Sequence, residues 1–260
     1  MSATGNNPQV QQPAAGLCLV FAVGERPAAD DIERLLAAPA DPAMQPAIGA
    51  QVSLRPADST DWLELLASGL AFDLTGLAPG AADALPEAAH LFGITRLRAT
   101  SPAEAITLAP GPHIAGGSAM IPIVRVMTGL AAALALALPV RAVCWRPAGC
   151  WMEPAYFARI VDAWLAGGAF PALGLTGLER AKDGSVTSNG LAFFIGQELR
   201  VEARAGESAA DTAKLAARVI DELIRHGPLD EDEELVGRDG EALLAQPSQD
   251  GRLVVLRRNA

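Results

Sequence analysis

The chain has 260 residues, of which half are apolar, with thirty acidic against twenty basic side chains and a formal net charge of -10. It is long enough to bury a sizeable core, as one large domain or two small ones. A strongly acidic chain has the wrong sign to neutralise a phosphate backbone, which excludes general nucleic-acid binding. Aromatic residues make up only 5%, so Ala, Leu, Val and Ile must fill most of the interior.

Residues 1–15 are polar, rich in Asn, Gln and Pro, and lack the basic start of a secretory signal peptide. They read as a disordered tail. The run Leu17 to Val23 predicts a buried strand, and Pro27 to Ala38 a helix with Ile32, Leu35 and Leu36 on one side. Gln51 to Arg55 and Leu70 to Leu77 are strand candidates, with a helical turn through Trp62, Glu64 and Leu65 between them. Ala81 to Phe92 allows a weak helix.

Ile106 to Ala109 predicts a strand. The next helix starts between Gly117 and Pro122, because proline is tolerated only in a first turn, and it ends at Pro139. Its uncharged stretch, Val126 to Val140, is fifteen residues, whereas a bilayer span needs about 20. It is therefore a buried helix, and no membrane association is expected. Ala142 to Trp145 is a further strand, and Pro154 opens a helix with Phe157, Ile160, Val161, Trp164 and Leu165 at helical spacing up to Gly167-Gly168.

Ala172 to Leu178 and Leu191 to Ala203 read as strands, the second folded into a hairpin at Gly196-Gln197. Ser208, with Asp211 three residues on, caps a helix whose apolar stripe runs from Leu215 to Ile224 and stops at Gly227-Pro228. Asp230 to Glu234 reads as a solvated loop. Asp239-Gly240 and Asp250-Gly251 mark the turns of a terminal β-meander.

The whole predicts an α+β fold of antiparallel or mixed sheets with helices on one face, and an arrangement of two ferredoxin-like halves is compatible with it. The division falls near residue 100, between an N-terminal half over 16–100 and a C-terminal half over 101–260. The stretch Ala142-Val143-Cys144-Trp145-Arg146-Pro147-Ala148-Gly149, followed by Glu153-Pro154-Ala155-Tyr156-Phe157, Gly174-Leu175-Thr176-Gly177-Leu178 and Gly190-Leu191-Ala192, resembles the bacterial family called domain of unknown function 4261 over roughly residues 90 to 205. The resemblance implies a bacterial cytoplasmic α+β protein without established activity, and it brings no catalytic residues. Arg146 and Cys150 stand where smaller or apolar residues are expected.

Gly111, Gly116, Gly117 and Ser118 have the spacing of a phosphate-binding loop, but Gly117 occupies the place of the lysine that reaches the outer phosphates. Without it, the loop is either an anion site, with Arg125 or Arg146 as an added charge, or a structural turn. Cys144 and Cys150 are five residues apart, His90, His113 and His226 are scattered, and no second ligand pair follows, so neither a metal nor a cofactor is expected. Cys150, placed near the surface beside Arg146, is a candidate redox thiol. Three cysteines are too few for a disulfide framework and suit the reducing cytoplasm.

Trp145, Trp151, Tyr156 and Trp164 concentrate in a chain poor in aromatics. Trp164 belongs to a helix stripe, whereas Trp145, Trp151 and Tyr156 read as ordinary core or as the contact surface for a protein partner. Glu153 and Asp162 read as a helix N-terminal charge and a solvated face rather than a catalytic pair. No complete catalytic set is present. The sequence thus points to a non-catalytic protein-binding role, with an anion-binding or small-molecule sensor or enzyme at 111–118 as the alternative.

Overall fold

A computed structural model describes residues 15–38, 49–99, 101–204, 206–237 and 240–258. The tail expected over 1–15, Ala15 apart, and the Asp239 turn position lie outside the described residues. In chain order the first part comprises β1 (Leu17–Ala22), α1 (Ala29–Ala37), β2 (Ala50–Leu54), β3 (Trp62–Ala67), β4 (Leu70–Thr75), β5 (His90–Phe92), α2 (Arg96–Ala99), β6 (Ala103–Pro110), α3 (Ile121–Ala137), β7 (Ala142–Trp145), β8 (Cys150–Met152) and α4 (Pro154–Leu165). The second part comprises α5 (Ala172–Leu175), β9 (Gly177–Arg180), β10 (Val186–Asn189), α6 (Ala192–Ile195), β11 (Glu198–Val201), α7 (Ala209–His226), β12 (Glu233–Val236), β13 (Ala242–Pro247) and β14 (Leu253–Arg258).

The fold is α+β, built on two mixed sheets. One has eight strands in the order β2-β3-β4-β6-β1-β7-β8-β5, and the other has six in the order β12-β13-β14-β11-β10-β9. Among the described strands, only β5/β8 and β11/β14 pair in parallel. The sheets change between β8 and β9, so the expected division near residue 100 does not coincide with them: β6 and β7 flank β1 on either side. Two ferredoxin-like halves are not what these strand orders describe.

Strand period explains the first departure from the sequence reading. Over Trp62 to Ala67, burial alternates so that Leu63, Leu65 and Ala67 face the core, which makes β3 a strand and not a helical turn. The β3–β4 turn at Ser68-Gly69, with φ of 50° and 77°, has the two positive values that a type I′ hairpin requires and so fixes the register. Residues 81–89 form no helix, with a single bridge at Asp83, and lead into β5. Glycines set two further departures. Gly174 at φ 145° lies within the short turn α5, so β9 starts only at Gly177, and Gly196 at φ 77° closes the helical turn α6 where a hairpin strand was expected. Glu233 and Glu234, read as loop, begin the edge strand β12.

The strongly patterned elements form as their sequence dictates. Ser208 caps α7 by accepting from the Asp211 N–H at 3.2 Å, and Glu153 caps α4 by accepting from the Tyr156 N–H at 2.8 Å. Helices α3 and α4 pack together and cover one face of the larger sheet, over Leu17, Leu19, Phe21, Ile106, Leu108 and Val143. The opposite face carries a second small core of Cys18, Val20, Ala105, Ala142, Cys144 and Trp151. It is covered by Ala88, Leu91, Ile94 and Ala99, from the chain that leads to and through β5 and α2. Arg26, 9% exposed, fastens the start of that covering chain by donating to Gly80 O at 3.0 Å and to Gly76 O while pairing with Glu104 at 2.9 Å.

The two sheets share one apolar core. Its seam is aromatic: Trp145 of β7 meets Phe193 edge-on at 5.4 Å and stacks on Phe194 at 6.0 Å, while Phe170 meets Phe194 and Trp164 at 5.2 and 5.5 Å. What aims Phe193 and Phe194 is the carboxylate of Glu198. It accepts from the N–H groups of Gly190, Leu191 and Ala192 at 2.8, 3.2 and 3.1 Å and from the Ser188 hydroxyl. These are charge-assisted bonds to amides at the start of α6. Gly190 is required here, since its φ is 91° and an added Cβ would lie 2.6 Å from that of Ala148.

Removing the carboxylate leaves several donors without an acceptor at a packed junction. Glu198→Ala is expected to destabilise the protein by about 3 kcal/mol, read from denaturant melts followed by tryptophan fluorescence, and Glu198→Gln, which keeps one acceptor oxygen, by less.

Candidate functional site

In the glycine-rich turn between β6 and α3, the amides of Gly111, Gly117 and Ser118 already have backbone acceptors. The Gly111 N–H donates to Ala71 O at 2.9 Å, Gly117 to Ile114 O at 2.9 Å, Ser118 to Ala115 O at 3.2 Å and Met120 to Gly117 O at 2.8 Å. An anion would have to break the bonds of Gly111, Gly117 and Ser118, which argues for a structural turn in place of the expected cradle of Gly111, Gly116, Gly117 and Ser118. Gly111 serves a close approach, because a Cβ there would lie 3.0 Å from Ala71 O. Arg146 does not complete the cradle. It follows β7, and its backbone N–H bonds Gly16 O at 3.2 Å, with β1 between it and β6.

The aromatic segment is also corrected. Trp145 is 0% and Trp151 3% exposed, so neither presents a contact surface. The reason is β8: as a strand it directs Trp151 into the second small core beside Cys144, and Cys150 and Met152 into the main core. Cys150 is therefore fully buried rather than near the surface, and burial pushes its thiol up to about 12. Burial raises Cys18 and Cys144 as well. None of the three is a favoured thiolate at neutral pH. Tyr156 is half-buried, stacked on Phe92 at 5.9 Å, with its hydroxyl donating to Leu173 O at 2.8 Å.

The concave surface lies elsewhere. Helix α3 has one charged residue, Arg125, in seventeen, and a helix that is apolar all round needs cover on every side. The sheet covers one side and α4 another. The remaining stripe, Pro122, Val126, Gly129, Ala133 and Leu136, repeats at helical spacing and lines an open groove of about 730 Å³. Asp162 and Leu165 of α4 form one wall, and Ala50, Ala67 and Ser68 from β2, β3 and the hairpin turn form the other. Leu136 is left 41% exposed. The volume lies within the usual range of small-molecule sites, which are mostly apolar with a few polar groups.

The small side chains make the hollow. Gly129 sets the approach of α4, since a Cβ there would stand 3.1 Å from Leu165 Cδ1, and Ala132 and Ala133 leave the space beside it unfilled. Arg125 is held at the groove wall, its guanidinium 4.9 Å from the Trp164 ring centroid and Nη2 donating to Leu165 O at 3.1 Å. The sequence signal for this site was present in the uncharged stretch after Arg125. Which side of the helix stays uncovered depends on tertiary packing.

A smaller cavity of about 340 Å³ sits where edge strand β5 faces the six-stranded sheet, lined by His90, Phe92, Arg96, Leu173 and Leu178. His90 packs so tightly over Gly177 that a Cβ there would overlap the ring, and its Nε2 lies 3.3 Å from Asn189 Nδ2. Burial lowers its pKa, opposed by Glu179. Among the described residues, no group of three His, Cys, Asp or Glu side chains is placed to hold a metal ion. No helix there is long and apolar enough to cross a membrane.

Searches against protein families, curated proteins and solved structures find no match to this chain.

His90 makes stability depend on pH. Its folded pKa lies below the unfolded value of about 6.5, so protonation favours the unfolded chain: its contribution is complete above that pH and is lost as pH falls below it. The drop in unfolding midpoint between pH 7.5 and 5.5 is expected to be smaller in His90→Gln than in the wild type. Equal drops in the two proteins would show that His90 is not responsible.

Proposed function

We propose that the protein is a non-catalytic binding protein that takes an apolar small molecule into the α3–α4 groove. The observation that carries this reading is the uncovered apolar stripe of α3 along a cavity of about 730 Å³. Apolar surface of that extent gains free energy whenever a ligand removes it from water, at roughly 25 cal/mol per Å². Among the described residues, the polar side chains lining the groove are Ser68, Arg125 and Asp162, with no histidine or cysteine beside them, which favours binding over turnover. A protein-binding role through Trp145, Trp151 and Tyr156 has lost its two largest contact residues to the core, so the binding role passes to this groove.

A reducing cytoplasm belongs to the same proposal, supported by three buried cysteines that are all free thiols. So does membership in the family of domain of unknown function 4261, for which the quoted motif residues are the support.

The test is titration with a neutral fluorophore that brightens in apolar surroundings, N-phenyl-1-naphthylamine. Saturable binding is expected in the wild type. Ala133→Trp, which fills the groove from α3, should weaken it at least about tenfold, the loss expected when roughly 1.4 kcal/mol of burial is blocked, with an unchanged circular dichroism spectrum. Absence of binding, or equal binding by the filled variant, would overturn the reading.

A further inference from the structure

We propose that the ligand of the α3–α4 groove is an amphiphile carrying a carboxylate, and that Arg125 receives that carboxylate. This rests on the reading of the groove as a binding site and adds the chemical class of what binds. Arg125 is the one charge on α3, it lines the groove, and no carboxylate among the described residues lies within ion-pair distance of it. Arg125 lies one turn into α3 and bonds the carbonyl of Leu165, the last residue of α4, a helix C-terminus that favours a cation but leaves its charge without a carboxylate partner among the described residues.

Its side chain is nevertheless fixed. The face of the guanidinium lies over Trp164 at 4.9 Å, and one N–H is committed to Leu165 O at 3.1 Å. A guanidinium has five N–H donors in a rigid planar fork, so this arrangement orients the group and leaves donors uncommitted for a carboxylate. The loss of freedom on binding is then small, because the rotamer is already set by the stack and the bond. Apart from Ser68 and Asp162, the other groove-lining side chains are apolar, which matches the tail of such a molecule. Asp162 is the other charged group on the wall. It forms no ion pair with Arg125, and its repulsion weakens a carboxylate ligand while favouring an amine.

Three probes of equal chain length separate the possibilities: dodecanoate, dodecanol and dodecylamine, each used below its micelle-forming concentration to displace N-phenyl-1-naphthylamine from the full chain. Dodecanoate is expected to displace the fluorophore at about a tenth of the concentration that dodecanol needs, as a charge-assisted hydrogen bond warrants. Arg125→Met should erase that preference, read as the ratio of the acid's and the alcohol's displacing concentrations within the same variant, so that any change in the fluorophore's own Kd cancels. Arg125→Lys, which keeps the charge without the planar fork, should retain part of it, and Asp162→Asn should increase it. Equal displacement by the acid and the alcohol, preference for the amine, or an unchanged preference in Arg125→Met would overturn the carboxylate assignment with the groove intact. Failure of the fluorophore to bind the wild type would overturn the groove reading itself.

Discussion

The structure depends on one carboxylate that substitutes for missing backbone partners. The turn from Asn189 to α6 leaves three amides pointing the same way, and Glu198 from the next strand receives all three. Such a turn has no ladder of its own, and without an acceptor its N–H groups would be buried at full desolvation cost. With them satisfied, Phe193 and Phe194 are held against Trp145, and the six-stranded sheet is locked to the eight-stranded one. Ser188 links the same carboxylate to β11, since its hydroxyl oxygen accepts from the Leu199 N–H at 2.7 Å.

The scarcity of aromatic residues acquires a physical reason from this seam. Alanine, leucine and valine suffice where helices lie on a flat sheet, but the junction where α4, the Phe170 segment and α6 meet Trp145 of β7 is an irregular gap that wide rings fill without voids. Trp145, Trp164, Phe170, Phe193 and Phe194 occupy that gap. The local excess around Trp145 was therefore a packing signal, and its resemblance to an interface hot spot arises because interfaces and cores use the same side chains for the same purpose.

How much could be read from the chain follows from where the determining interactions lie. Helices α1, α3, α4 and α7 were legible because their caps and stripes are local in sequence. Strand β1 was legible as an unbroken apolar run. The short elements β5, β8, β10 and α5 were not, since three or four residues carry no period and their state is set by partners far along the chain, such as Gly149, which accepts from the Ala89 and His90 N–H groups at 3.0 and 3.1 Å. The glycine-rich turn misled for a related reason: glycine spacing records where the backbone needs freedom, not which way its amides point, and here those of Gly111, Gly117 and Ser118 are bonded to backbone carbonyls. Cys150 misled because its neighbour Arg146 is close in sequence but belongs to the turn before β8.

The groove was half legible. Fifteen uncharged residues after Arg125 signal burial, yet the sheet has only one face to offer and α4 covers only one flank of the helix. Gly129, Ala132 and Ala133 reconcile these demands in two ways, letting α4 approach along Leu165 and leaving a hollow where larger side chains would have closed the core. A chain selected only for stability would gain from leucine at Ala133, because filling a void restores dispersion contacts and removes apolar surface from water. Small side chains along the uncovered stripe, beside an arginine held in place by a tryptophan ring, forgo that gain, and they do so at the larger of the two concavities described above.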